Sequence, residues 1–154
     1  MIAIVVHGGA GNWPDAEREG AVRGVAEAAA AGWQVLERGG AALDAVTAAV
    51  VALEDDPLFN AGTGSVLNAA GEVEMDASVM AGETLACGGV TCIRRVRNPV
   101  LVARRVLEAT DCVLLAGAQA AEFAREQGFP DHEPLTARRR AQWESALARG
   151  ARPA

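Results

Sequence analysis

Lysine and tyrosine are absent from this chain of 154 residues: all 14 basic residues are arginine, and aromatic residues make up only 4%. Without lysine there is no Schiff base, no lysine general base and no lysine for a Walker-type phosphate loop. With so few aromatic rings, the core must be built mainly from Ala, Val and Leu. Such helices pack closely but bury little area per residue, which suits elements pressed against a larger partner surface. Cysteine is scarce as well. Cys87, Cys92 and Cys112 are odd in number, lack a Cys-x-x-Cys spacing and sit in apolar strand-like runs. They are expected to be buried, reduced thiols. No signal-like stretch opens the chain, so the expected location is cytoplasmic. Gly, Glu or Arg interrupts each apolar run before it reaches membrane-spanning length, and no membrane partner is expected. The net charge of −6 leaves no broad basic face and argues against nucleic acid. It is unevenly spread: residues 1–90 carry 13 acids and 3 Arg, net −10, and residues 91–154 carry 7 acids and 11 Arg, net +4.

What is present is a composition of 51% hydrophobic and 22% charged residues, that of a globular domain or a large part of one. The most informative stretch runs from Leu53 to Gly64, Leu-Glu-Asp-Asp-Pro-Leu-Phe-Asn-Ala-Gly-Thr-Gly. A helical apolar pattern stops there, because Pro57 fixes its own φ and pushes Asp56 out of the helical region. Leu58 and Phe59 would anchor the loop by burial. Gly62 and Gly64 let main chain approach a ligand or another strand. The loop therefore presents Asn60 from a fixed frame. A second such feature opens the chain, where Met-Ile-Ala-Ile-Val-Val leads into His7-Gly8-Gly9-Ala10-Gly11, a short buried strand delivering a histidine to a glycine turn.

The elements alternate along the chain. After a strand over 1–6, Pro14-Asp15 opens a helix to about Arg38, with Val22, Val25, Ala26, Ala29, Trp33 and Leu36 on one face and Gly39-Gly40 closing it. A second helix from about Ala42 to Glu54 carries Leu43, Val46, Val50 and Leu53 on one stripe. Strands are expected near Ser65–Asn68, Val73–Met80 and Thr84–Val96, followed by a helix from Pro99 to Ala109, a strand at Cys112–Leu115 and a helix at Gln119–Gln127. Pro130 and Pro134 mark a break, Leu135–Arg149 reads as helical, and residues 150–154 as a frayed end. The order is that of an α/β domain with Ala-rich helices covering a sheet.

Several familiar chemistries fail on the residues. Gly8-Gly9-Ala10-Gly11 lacks the third glycine of a dinucleotide loop, and Pro14 follows at once. His7-Gly8-Gly9 has the form of an esterase oxyanion loop, yet no Gly-x-Ser-x-Gly elbow exists for it to serve. His7 reads as a structural histidine satisfied by nearby backbone, and His132, between Asp131 and Glu133, as solvated. Ser65, Ser78, Thr47, Thr63 and Thr91 have no convincing His–Asp arrangement. Glu74 and Asp76 share one strand face, more the pattern of a solvated edge than of a glycosidase pair. Glu54-Asp55-Asp56 ends a helix, where three consecutive acids point in different directions. The residues supply no complete catalytic apparatus.

Six features in register resemble the α subunit of the plant-type asparaginases, also called isoaspartyl peptidases, which are N-terminal-nucleophile hydrolases. They are the strand with His7-Gly8-Gly9-Ala10-Gly11, the helix ending in Gly39-Gly40, the Ala-Leu-Asp-Ala-Val helix, the Pro57–Gly64 loop, the Met75–Gly82 block and Arg97-Asn98-Pro99. The resemblance implies a four-layer αββα sandwich, with residues 1–154 forming the α subunit of one domain; the Gly128–Pro134 stretch and the frayed end make residues 128–154 a partly flexible tail in this reading. It implies a precursor that cuts itself before a threonine, which heads a β subunit and uses its own amine as base. No Gly-Thr-Val-Gly of the kind that begins that subunit occurs here. The nucleophile is thus expected on the partner, with none of the catalytic residues proper on this chain. Asn60, His7, Gly8 and Gly9 would support the site. A structural sodium would sit among the main-chain carbonyls of Leu53, Glu54, Asp56, Phe59, Ala61 and Thr63, with no cofactor for catalysis. The assembly implied is an (αβ)2 heterotetramer acting on L-asparagine or β-aspartyl dipeptides through an acyl-enzyme. The glycosylasparaginases are the competing branch, but their corresponding loop lacks Pro-Leu-Phe-Asn-Ala-Gly. A non-catalytic binding domain, with Gly8–Gly11 as an anion nest and residues 53–64 as a metal loop, is the alternative from another class.

Overall fold

Proline and glycine punctuate the first half of the chain, as seen in a computed structural model in which residues 1–150 are described. Pro14 precedes helix α1 (Asp15–Glu37), and Gly39, at φ +79°, follows its end, where the Gly40 N–H donates to the Val35 carbonyl at 2.9 Å. Helix α2 (Ala42–Asp55) stops where Asp56 turns extended before Pro57. After the loop come β1 (Met75–Met80), β2 (Cys87–Ile93), α3 (Pro99–Ala109), β3 (Leu114–Ala116), α4 (Gly117–Glu126) and α5 (Ala137–Ala148). The described residues form a mixed α/β structure with a small sheet and five helices. The frayed end expected over 150–154 lies, apart from Gly150, outside the described residues.

The sheet has the order β1-β2-β3. Strands β1 and β2 run antiparallel, from Met75 opposite Ile93 to Met80 opposite Cys87, with an irregularity between Met75 and Ala77. Asp76 sits at that irregularity and accepts bonds from the Thr91 hydroxyl at 2.6 Å and the Cys92 N–H at 2.8 Å. Glu74, on the same face, pairs with Arg94. Strand β3 lies parallel to β2 after the crossover through α3. One core joins this sheet to α3 and α4 through Met75, Val90, Ile93, Val102, Val106 and Ala120. A second, smaller cluster of Ala28, Leu53 and Phe59 lies between α1, α2 and the loop.

Three expectations need correction. Residues 1–6 form no strand. Ile4 and Val6 are half-buried while Ala3 and Val5 are exposed, which is the alternation of a strand, but among the described residues no neighbouring strand completes a ladder. Ser65–Asn68 is not a strand either: Ser65 N–H turns back to the Gly62 carbonyl, and the Asn68 side chain accepts from Ala70 and Glu72 in a tight turn. Cys92 and Cys112 are exposed and Cys87 half-buried, so the thiols, though free, are not core residues.

The packed face of α1 is also not the expected one. Its buried residues are Ala21, Gly24, Ala28 and Gly32, whereas Val22 is 66% and Trp33 38% exposed. Close approach explains the choice. A Cβ on Gly32 would stand 2.7 Å from the Ala45 carbonyl and 3.3 Å from Ala49 Cβ on α2. Small residues on both helices bring the backbones together where bulky ones would hold them apart. Likewise on α2, Ala45 and Ala49 are buried while Val46 of the expected stripe is exposed. No helix among the described residues is long and apolar enough to cross a membrane.

Gly24 supplies a test of this packing. A Cβ there would stand 2.6 Å from Asp56 Oδ2 and 2.7 Å from the Phe59 ring. Gly→Ala inside a helix ordinarily gains about 1 kcal/mol, but overpacking costs about 1–3 kcal/mol. Gly24→Ala is therefore expected to lower the urea midpoint, and a rise would show that Phe59 is not tightly held.

Candidate active site

Phe59 fixes the Pro57–Gly64 loop. Its ring is 3% exposed and meets Trp13 edge-on, with centroids 5.7 Å apart at 74°. The slot exists because two neighbours have no side chain: a Cβ on Gly8 or on Gly24 would stand 2.7 Å from this ring. The opening turn, α1 and the loop thus meet at one aromatic residue. Gly64, at φ +101°, closes the loop where a Cβ would stand 2.8 Å from Pro57 Cα. Main-chain bonds complete the frame. Thr63 N–H donates to the Glu54 carbonyl at 2.8 Å, and Gly64 N–H to the Pro134 carbonyl at 2.9 Å. Asp56 Oδ1 accepts the Leu58 N–H at 2.9 Å.

Asn60 is exposed on this frame. Its Oδ1 accepts the Val66 N–H at 2.8 Å. That bond assigns the amide unambiguously and turns Nδ2, with two donors, away from Val66. Asn60 lines a cleft of about 580 Å3 together with His7, Gly9, Trp13, Arg138 and Gln142. The His7–Gly9 turn and Asn60 therefore face the same space, though they stand more than fifty residues apart in sequence. His7 Nδ1 accepts the Gly9 N–H at 3.0 Å, so a neutral ring carries its proton on Nε2.

The three acids at the end of α2 go separate ways. Asp55 pairs with Arg97 at 2.8 Å and accepts from Asn98 at 3.0 Å. Asp56 caps the loop as above. Glu54 is 2% exposed, and its Oε1 accepts the Val100 N–H at 3.0 Å. It thereby caps α3, whose own Asn98 makes no side-chain cap, and joins the end of α2 to the start of α3. Glu54 Oε2 is buried with no partner among the described residues.

The carbonyl set implied for a cation lies on the same frame. Leu53 stands four residues before Pro57, which has no N–H, so its carbonyl lacks an i+4 donor. The end of α2 is also the negative end of the helix dipole. The Glu54 and Asp56 carbonyls each accept one N–H, from Thr63 and from Phe59, and keep a second lone pair. No group of three or more His, Cys, Asp or Glu among the described residues is arranged to hold a metal. Neutral carbonyl oxygens with lone pairs to spare suit a hard cation and not a transition metal.

Other residues of the site were not legible beforehand. His132, expected to be solvated, is half-buried with Nε2 3.1 Å from the Thr63 hydroxyl. Its segment is tied down by Arg95, which pairs with Asp131, and by the His132 N–H donating to the Arg95 carbonyl. Arg138, Arg139 and Gln142 of α5 reach the cleft from the far end of the chain. Nothing in a row of three acids marks Glu54 as the one whose side chain turns inward.

Burial pushes the Glu54 carboxyl up to about 8; the bond from Val100 N–H and the nearby Asn98 oppose this, and Asp55 adds to it. Between the ordinary value of 4.5 and about 8 the folded chain holds a proton that the unfolded chain has released. This group's contribution to stability is therefore full below 4.5 and is lost as pH rises through about 8. Glu54→Gln keeps the acceptor for Val100 and is expected to flatten the fall in melting temperature over that window. An unchanged slope in a series of thermal melts would rule out a buried acid.

Residues 1–153 match the family described as asparaginase. The chain is 56% identical over 145 residues to the plant-type L-asparaginase of Pyrococcus furiosus, covering 94% of this chain and 47% of that protein. It is 47% identical over 153 residues to the isoaspartyl peptidase/L-asparaginase of Danio rerio, covering 97% of this chain and 49% of that protein. With the Mus musculus protein of the same name the identity is 48% over 130 residues, 84% of this chain and 40% of that protein. The chain thus spans about half the length, or somewhat less, of the curated relatives it matches. Similarity that runs through the glycine turn, the Asn60 loop and the α3 cap alike places this chain in the asparaginase family.

Proposed function

We propose that this chain is the α part of a two-chain amidohydrolase that cleaves the side-chain amide of L-asparagine and the β-aspartyl bond of isoaspartyl peptides. The observation that carries the reading is the convergence of Asn60 and the His7–Gly9 turn on one cleft, with the Asn60 amide held as a donor. In this reading the nucleophile is an N-terminal Thr on a β chain released by autocleavage. Its hydroxyl attacks the side-chain carbonyl while its own amine takes the proton. The amide nitrogen leaves with a proton as ammonia or as the peptide amine, and water then cleaves the ester to release aspartate. Asn60 Nδ2 would orient substrate or nucleophile, and the glycine turn lets main chain come close.

A companion segment is also supported by what this chain leaves open. Residues 3–6 alternate like a strand without a neighbour, and β1 and β3 each have one unpaired edge, among the described residues. Val22, Trp33 and Val46 leave an apolar face on α1 and α2. Strands from the companion would fill both and make the four-layer αββα sandwich, two copies of which would pair as (αβ)2. A sodium ion on the carbonyls of Leu53, Glu54, Asp56, Phe59, Ala61 and Thr63 would supply charge balance to the loop and no chemistry.

The reading is tested on the purified protein by intact-mass spectrometry and by aspartate release from β-aspartyl dipeptides, L-asparagine and a glycosylated asparagine. A second polypeptide beginning with Thr is expected, with turnover of the first two substrates. A single chain without turnover would support a binding domain, and preference for the glycosylated substrate the competing branch. Asn60→Ala is expected to lower kcat by about 10²-fold, the scale of losing one positioned donor, while the melting temperature moves little. Equal loss of both would make Asn60 a packing residue. Exchanging sodium for choline at constant ionic strength is expected to lower the melting temperature of the native protein; no change would remove the ion from the loop.

A further inference from the structure

Helix α5 has no fully buried residue, and Trp143 alone of its side chains packs against the larger core. Polar bonds to the main chain of two loops supply the rest of its anchoring. Trp143 Nε1 donates to the Asn68 carbonyl at 3.0 Å. Arg138 donates to the Pro57 carbonyl at 3.3 Å and pairs with Glu17 of α1. Arg139 donates from Nε to the Gly64 carbonyl at 2.5 Å, from Nη2 to the Leu58 carbonyl at 3.0 Å and from Nη1 to Gln142 Oε1 at 3.0 Å. Its position is set in turn by Thr136, whose hydroxyl accepts the Arg139 N–H at 3.2 Å and caps the helix.

The partners of Arg139 are unusual for a half-buried cation. Burial, and the neighbouring Arg138, disfavour its charge, and the acid nearest to hand, Glu17, is engaged by Arg138. Guanidinium nevertheless stays charged, and its rigid fork can hold two acceptors at a fixed separation. Here the two are the carbonyls of Leu58 and Gly64, six residues apart and on either side of Asn60. A bond to one carbonyl would tether the loop. Bonds to both fix its width, and with it the direction from which Asn60 enters the cleft. Lysine has a single point charge and cannot set that separation.

We propose that Arg139 is a positioning residue for the hydrolytic reaction, acting through the Pro57–Gly64 loop on Asn60. The inference rests on the amidohydrolase reading for its kinetic arm, and on geometry alone for its structural arm.

The test compares the native protein with Arg139→Met, Arg139→Lys, Asn60→Ala and the Asn60→Ala/Arg139→Met double variant. Hydrogen–deuterium exchange is followed across residues 57–66 and across α2, with kcat and KM for a β-aspartyl dipeptide measured in parallel. Arg139→Met is expected to speed exchange in the loop by about tenfold while α2 is unchanged. It should lower kcat by about 10–100-fold with KM within about threefold, as a misaligned group far from the reacting bond does. Arg139→Lys should behave more like Met than like Arg, and serves the same comparison if Arg139→Met does not fold. The double variant should be no slower than Asn60→Ala alone, because both changes act on one group. Unchanged loop exchange overturns the proposal. So does a rise in KM at constant kcat, which would make Arg139 a substrate contact, and so do additive losses. If the native protein turns over none of the substrates, the hydrolase reading fails, and the exchange comparison still decides for or against the clamp.

Discussion

Everything at the cleft depends on one ring being held in place. Phe59 is a buried apolar anchor in the middle of a loop that presents Asn60, an exposed functional candidate, beside it. Burying such a side chain contributes about 1.5–3 kcal/mol, enough to oppose the conformational entropy of one or two loop residues but not of the whole loop. The slot that receives it is made by subtraction. Gly8 and Gly24 come from two separate elements, and each leaves out the atoms that the ring occupies. A ring in that slot cannot move without moving the glycine turn or α1, so the place of Asn60 is inherited from both.

The remaining order comes from main-chain bookkeeping. A loop that runs partly inside a protein has to satisfy its own N–H and C=O groups. This one does so with distant partners: the Glu54 carbonyl at the end of α2, the Pro134 carbonyl in the late segment, and the Arg139 guanidinium. Glu54 extends the same frame outward, since its backbone holds the loop while its side chain holds the first turn of α3. The acid that joins the two cores is thereby obliged to be buried, and its raised pKa follows from that position rather than from any catalytic role.

The helices, their order and the loop anchor were readable from local rules. Pro57 had to end α2, Gly39 had to end α1, and Phe59 in a loop had to be buried somewhere. The family, too, was readable, because its motifs lie in continuous stretches. What local rules could not give were the pairings across the chain. Nothing at Arg139 points to Leu58 and Gly64, which precede it by 81 and 75 residues. His132 sits in an acidic, proline-bounded stretch that reads as solvent-facing, yet it ends against Thr63. The first strand failed for a related reason: alternation specifies which side chains face inward, but a strand also needs a neighbour.

The face of α1 carries the most general point. Hydropathy ranks Val22, Trp33 and Leu36 above Ala21, Gly24, Ala28 and Gly32, so a periodicity count selects the bulky side as the packed one. The observed contact with α2 uses the small side, because two helices can approach only as closely as their side chains permit. A helix with small residues on one face and large apolar residues on the other has two surfaces to bury, and one neighbour can take only the first. In the αββα reading the second surface meets a sheet, whose pleated face takes bulky side chains that a close helix pair would reject. The same division applies to α2, where Ala45 and Ala49 turn toward α1 and Val46 turns out. The two faces would then have been specified by two different partners, of which this chain contains one.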